Sequence, residues 1–235
     1  MLTSPTQAAP VDWVLVTTKT YDAPAAAAWL EALLGETTRV AIIQNGVEHL
    51  ERFPQAPRAR TLPVIIDLPV ERSAPGRILQ RRDGTMTVPE GPLGADFGSL
   101  FAASPLAVVP TDDFTTAAWR KLCLNCAGAV SALVLKPAGV VQREPMAAIM
   151  RGLVAECVAV GNAEGAKLGE EVVDAIVEDY RKGPQDSVNS MHADRLAGRP
   201  MEIDARNGVI VRRGAAHGLP TPLNALMADL LQAAQ

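Results

Sequence analysis

The chain has 235 residues, 48% of them hydrophobic, and a formal net charge of −4. That is enough material for one large or two modest domains with a real core. The acidic balance offers no basic surface for nucleic acid. No apolar run is read as long enough to span a bilayer, and Met1-Leu-Thr-Ser-Pro5 lacks the regions of a signal peptide.

Trp13-Val-Leu-Val-Thr17 is a short apolar run rich in β-branched residues, which predicts a buried strand. Asp22 is placed to cap an alanine-rich helix reaching about Leu34, ended by Gly35. Arg39-Val-Ala-Ile-Ile43 predicts a second buried strand. Strand, helix, strand at this spacing is a βαβ unit with parallel strands. Ligands sit beyond the carboxyl ends of such strands, so Lys19 and Asn45, in the loops after them, fall where a ligand would be. Equally, Lys19 could face solvent and Asn45-Gly46 could be only a turn.

Further on, Leu62-Pro-Val-Ile-Ile-Asp67 is strand-like. Arg77–Gln80 and Met86–Val88 flank Asp83-Gly84, which predicts a type I′ hairpin. A short helix is expected over Ala95–Ala103 and a closing strand over Leu106–Val109. The sheet should therefore begin parallel and end with antiparallel pieces. Pro110-Thr-Asp-Asp113 marks a boundary, with Thr111 or Asp112 capping the next helix. Beyond it the pattern is helical, over 113–131, 144–168, 170–182, 186–197, 202–217 and 222–233. Pro137, Gly169, Pro184, Pro200, Pro220 and Pro222 punctuate these helices. The fold class is α/β, then all-α, with a sheet domain over 1–110 and a helical domain over 111–235.

Trp119-Arg-Lys-Leu-Cys-Leu-Asn-Cys126 is the stretch richest in chemistry. Lys121 and Asn125 are four apart and share a helical face. They could be a proton donor with its positioning amide, or a surface lysine beside a structural asparagine. Cys123 and Cys126 have C-x-x-C spacing but no second pair. With Cys157 they suit buried reduced thiols in a cytoplasmic protein better than a zinc site. Ser190 and Asp194 share a face and could simply hydrogen bond. Glu202 lies at a helix N-terminus and could be a cap or dipole partner, with Arg206 pairing to it four residues on. His192 and His217 suit surface or packing roles.

Taken in order, these stretches resemble the ketopantoate reductases (2-dehydropantoate 2-reductases). The carriers are Val11–Lys19, Gln44-Asn-Gly-Val47, Trp119–Asn125, Ser190-Met-His-Ala-Asp194, Gly198–Gly208 and Gly218-Leu-Pro-Thr-Pro222-Leu-Asn224. The resemblance implies a partial Rossmann-like domain followed by a helical substrate and dimerisation domain. It implies a reductase in which NADPH delivers hydride to the ketone carbon of a small 2-oxo acid. It makes Lys121 the general acid and Glu202 the acidic catalytic partner. Asn45, Asn125 and Ser190 become substrate-binding, and Lys19 and Asn45 cofactor-binding. A cytoplasmic homodimer is implied by the same likeness.

Three departures from the family pattern stand out. Ala129 and Ala138 occupy positions where the family often has asparagines, which points to a less polar 2-oxo acid than ketopantoate. The glycine-rich G-x-G-x-x-G turn that cradles a pyrophosphate is missing from this sequence. That reads as a chain lacking the N-terminal half of the nucleotide domain, expected to bind NADPH poorly. Two alternatives remain: a non-catalytic remnant serving as a helical dimerisation module, and another dehydrogenase of similar plan acting on sugar acids. The Lys-x-x-x-Asn and Glu-Ile-Asp stretches speak against the latter.

Overall fold

The computed structural model describes residues 1–80 and 82–235. The chain forms two compact units, Met1–Phe114 and Thr115–Gln235.

In the first unit, β1 (Trp13–Val16), α1 (Ala23–Leu33) and β2 (Arg39–Ile42) form the expected βαβ unit. β1 and β2 pair in parallel, Trp13 opposite Arg39, and β3 (Thr61–Pro63) adds to β2, also in parallel. Side chains alternate across the sheet. Val14, Val16, Val40 and Ile42 meet Leu30 of α1 and Phe53 on one face. Ala41, Ile43 and Leu62 meet Met86, Val88 and Phe97 on the other. Burial on both faces explains why β2 reads as a continuous apolar run. β1 takes the outer place in this sheet, and Leu15 there is 39% exposed.

The strand-like run 62–67 divides at Val64. Val64 N–H still donates to Ile42 O at 3.0 Å, holding the chain to β2. From Ile65 it leaves for a second sheet, where β4 (Ile65–Asp67) pairs antiparallel with β7 (Thr85–Pro89). β7 then pairs in parallel with β8 (Ala107–Thr111) after crossing through α2 (Pro92–Ser99), so the unit does not end in antiparallel pieces alone.

The predicted hairpin at Asp83-Gly84 is not formed. Between β4 and β7 in the sequence, β5 (Val70–Ala74) pairs with β6 (Arg77–Gln80), and Gly76, at φ +74°, makes the turn. A type I′ turn needs positive φ at both central residues, and neither Asp83 nor Gly84 has it. Gly84 is small for another reason: a Cβ there would collide with Leu68 Cδ1. Asp22 precedes α1, but its carboxylate makes no capping bond.

In the second unit, α3 (Phe114–Ala127) and α4 (Ala129–Val134) replace one predicted helix. They part at Gly128, where a Cβ would lie 2.7 Å from Tyr180 Oη and 3.0 Å from Asn189 Nδ2. Helix α5 (Glu144–Ala163) comes next and stops five residues earlier than expected, the chain turning at Gly165, φ +94°. Its glycine at 161 faces the Trp119 indole, whose ring atoms would be 3.0–3.1 Å from an added Cβ.

By length and composition α5 could cross a membrane, contrary to the expectation that no run is long enough. Its stripe Ala147, Met150, Leu153, Val154, Cys157 and Val160 is instead buried in this unit. Helices α6 (Glu171–Lys182) and α7 (Ser190–Leu196) follow. A π-helical segment, Asp204–Gly208, runs into α8 (Val209–Ala216), and α9 (Pro222–Ala233) closes the unit. Cys123, Cys126 and Cys157 are free thiols with no exposed surface. Burial raises the pKa of Cys126 and Cys157.

Candidate active site

The loops after β1 and β2 are tied to each other in the first unit. Gln44, buried at the end of β2, donates from Nε2 to Thr18 O at 3.0 Å and to Thr18 Oγ1 at 3.2 Å. Its Oε1 is buried and has no hydrogen-bond partner, an orphaned acceptor where these loops meet. Lys19 is half-buried at the start of the 3-10 turn Thr20–Asp22. Asn45 is half-buried, its carbonyl accepting from Arg52 Nη1 at 2.9 Å, and Gly46 at φ +88° turns the chain.

His49 supports this loop from beneath. It is 2% exposed, with Nε2 2.9 Å from Gln44 O. Burial, helped by the Arg52 charge, pushes its pKa down to about 4. The ring is therefore neutral at pH 7 and donates Nε2–H to the carbonyl. The amide groups, a lysine and an orphaned acceptor gather hydrogen-bond donors and acceptors beyond the carboxyl ends of two parallel strands.

In the second unit a separate polar cluster joins several helices. Lys121 and Asn125 lie one turn apart on α3, both half-buried. Asn189 is the N-cap of α7, its Oδ1 accepting from His192 N at 3.0 Å. The same side chain donates from Nδ2 to Gly128 O at 2.9 Å, fastening α7 to the end of α3. Tyr180 Oη donates to Leu124 O at 3.1 Å. Burial raises the Tyr180 pKa, so it stays a neutral phenol.

Ser190 is exposed at the start of α7, and Arg206 Nη2 donates to its Oγ at 2.7 Å. Arg206 is thus not a surface partner for Glu202 on one helix. It is 2% exposed, and Glu202 is 4% exposed. Desolvation lowers the Arg206 pKa, opposed by the charge of Glu202 and by Tyr180 and Asp194. Asp194 is buried one turn below Ser190, and its Oδ1 accepts from Arg199 Nε at 2.9 Å.

The π segment that carries Arg206 is held by a buried network. Asn207 Nδ2 donates to Asn224 Oδ1 at 2.9 Å. Asn224 Nδ2 donates to Leu153 O at 3.1 Å and to Glu156 Oε2 at 2.7 Å. The Glu156 carboxylate also accepts the N–H groups of Leu223 and Asn224, filling the open donors at the start of α9. A π bulge widens one helical turn and is found mainly where function requires a displaced side chain. Arg195 ties α7 to α4, donating to Ala132 O and Leu133 O.

The structure thus groups Lys19 with Asn45 in one unit. In the other, side-chain hydrogen bonds link the segments bearing Lys121, Asn125, Ser190 and Glu202. Gln44, His49, Asn189 and the buried state of Arg206 are additions to the residues that the sequence pattern singles out. Asn189 carried the clearest signal, since Asn directly before a helical run is a strong N-cap. Ala129 and Ala138, which stand where the family often has asparagines, are buried.

Comparison with known proteins divides along the same two parts. A family model described as ketopantoate reductase PanE/ApbA matches residues 1–92, and its C-terminal counterpart matches residues 113–235. The 2-dehydropantoate 2-reductase of Caulobacter vibrioides is 60% identical over 233 residues, 99% of this chain and 80% of that protein. A PanE/ApbA family ketopantoate reductase from Ralstonia eutropha JMP134 superposes with TM-score 0.88 at 33% identity, covering 98% of this chain and 78% of that one. A dimeric ketopantoate reductase from Staphylococcus aureus gives TM-score 0.88 at 25% identity, over 96% and 78%. The paired matches fall in both units, the Caulobacter vibrioides relative aligns with 99% of the sequence, and the chain belongs to the ketopantoate reductase (PanE/ApbA) family.

Proposed function

We propose that this protein is an NADPH-dependent 2-oxo-acid reductase that forms a 2-hydroxy acid. The observation that carries this reading is its 60% identity, across 99% of the chain, with a 2-dehydropantoate 2-reductase. When bound, the nicotinamide supplies the hydride. The chain's own residues hold the substrate and manage its charge. Lys121 places an ammonium against the ketone oxygen, polarises the carbonyl and delivers the proton as negative charge develops. Asn125, one turn along the same face, orients the substrate, as does Ser190. Glu202 is the acidic partner in the substrate pocket. Asn45 and Lys19 approach the nicotinamide end of the cofactor, on loops that Gln44 and His49 hold in register.

Ala129 and Ala138, where the family often has asparagines, favour a 2-oxo acid less polar than 2-dehydropantoate. The same reading places the enzyme in the cytoplasm as a homodimer, supported by the dimeric Staphylococcus aureus relative. The deciding experiment follows NADPH and NADH oxidation by the loss of nicotinamide absorbance, at nucleotide concentrations high enough to load a weak site, with 2-dehydropantoate and with 3-methyl-2-oxobutanoate. Oxidation dependent on the 2-oxo acid and faster with NADPH is expected. No acid-dependent oxidation with either nucleotide would sink the reading.

A further inference from the structure

Arg206 and Ser190 form a bond that runs in one direction. A guanidinium carries N–H donors and no acceptor, so Arg206 Nη2 donates and Ser190 Oγ accepts across their 2.7 Å. The Ser190 proton is thereby left to point away from Arg206. A serine in open water can present a lone pair or a proton to a ligand. Ser190, exposed at the first position of α7, has one of its two lone pairs taken and its proton turned outward, which biases it towards donating. Donation from a cation also polarises the hydroxyl and strengthens it as a donor.

The charge behind it is held out of water. Arg206 is 2% exposed, so its charge has lost most of its hydration. Its Nε is buried with no hydrogen-bond partner, so the protein does not saturate it. Of the carboxylates acting on it, Asp194 is engaged by Arg199 at 2.9 Å. Glu202, buried and four residues before it, supplies the other negative charge. A cation in this state gains from a further anion brought to the exposed hydroxyl.

We propose that Arg206 is a positioning residue that fixes Ser190 as a hydrogen-bond donor and thereby selects an ionised carboxylate on the substrate over uncharged analogues. This deepens the 2-oxo-acid reading and rests on it for the identity of the ligand.

Calorimetry with no reductant present, on the full chain, tests it with 3-methyl-2-oxobutanoate and its methyl ester. Arg206→Met should weaken binding of the acid by about tenfold or more, the scale of a charge-assisted bond, and the ester by less than about twofold. Arg206→Lys keeps a cation beside Glu202 and so protects the fold. It should weaken the acid by about threefold, and it carries the test alone if the methionine variant does not fold. In a Ser190→Ala background, replacing Arg206 should cost acid binding nothing more, because its action passes through the hydroxyl. Equal weakening of acid and ester, an unchanged acid affinity, a full Arg206 effect without Ser190, or a wild type that binds no acid would each overturn the assignment. A wild type that binds the acid through Arg206 but oxidises no NADPH would instead remove the reductase reading and leave Arg206 in place.

Discussion

Gln44 Nε2 lies 3.0 Å from the carbonyl oxygen of Thr18, so a single buried amide fastens the loop after β2 to the loop after β1. Those loops carry Lys19 and Asn45. Gln44→Ala removes the tie and leaves the Thr18 carbonyl without this donor. A hydrogen bond of this kind is worth about 1 kcal/mol, so the KM for the nicotinamide cofactor should rise about fivefold. The KM for the 2-oxo acid should move less. Steady-state kinetics with each substrate varied separately checks this, and an unchanged cofactor KM would mean the tie has no part in cofactor binding.

Lys121→Ala should lower kcat for 2-oxo-acid reduction by roughly 100-fold or more, the usual scale for loss of a general acid. Substrate affinity should fall less, because the substrate contacts proposed for Asn125 and Ser190 remain. Single-turnover rates separate the chemical step from release. A variant that reduces its acid near the parental rate would make Lys121 a structural residue.

His49 predicts a dependence of stability on pH. Its folded pKa of about 4 lies below the unfolded value of 6.5. The unfolded chain therefore binds more protons between these values, and stability rises with pH there. The contribution of neutral His49 is complete above pH 6.5 and disappears as pH falls towards 4, about 3 kcal/mol across the window. His49→Gln keeps a donor for the Gln44 carbonyl but cannot titrate. The difference in urea-unfolding free energy between parent and variant should shrink or reverse as the solution is acidified from neutrality into that window. A difference independent of pH would show that the ring titrates normally.

Asn224→Ala should destabilise the helical unit by about 3 kcal/mol, since it strands the Leu153 carbonyl and the Asn207 amide in the interior. Asn207→Ala should cost less, and the double variant should fall short of the sum because the two amides share one bond. Denaturant titration of the three variants measures the coupling. Strict additivity would mean the network does not act as a unit.

Much of this fold is legible in the sequence because the underlying signals are local. The β1–α1–β2 unit comes from two β-branched runs and an alanine-rich span, and Pro222 marks the start of α9. The hairpin failed because Asp-Gly reports a preference for positive φ, whereas Gly84 answers to the closeness of Leu68, a contact distant in sequence. Gly128, between α3 and α4, likewise answers to residues distant in sequence, since Tyr180 and Asn189 leave no room there for a Cβ. At the site, residue types were readable but burial was not. Arg206 four residues after Glu202 looks like a surface pair until the π turn carries it inward to Ser190.

Cys123, Cys126 and Cys157 offer a way to watch the helical unit breathe. All three thiols are sealed from solvent, on α3 and α5. A water-soluble disulfide reagent can reach them only when those helices part. At high reagent concentration the labelling rate becomes the rate of opening itself, and at low concentration it reports how often the open form is occupied. The native chain thus carries its own clock for partial unfolding, readable by mass shift with no engineered probe. A ligand that braces α3 should slow that clock without touching a sulfur atom.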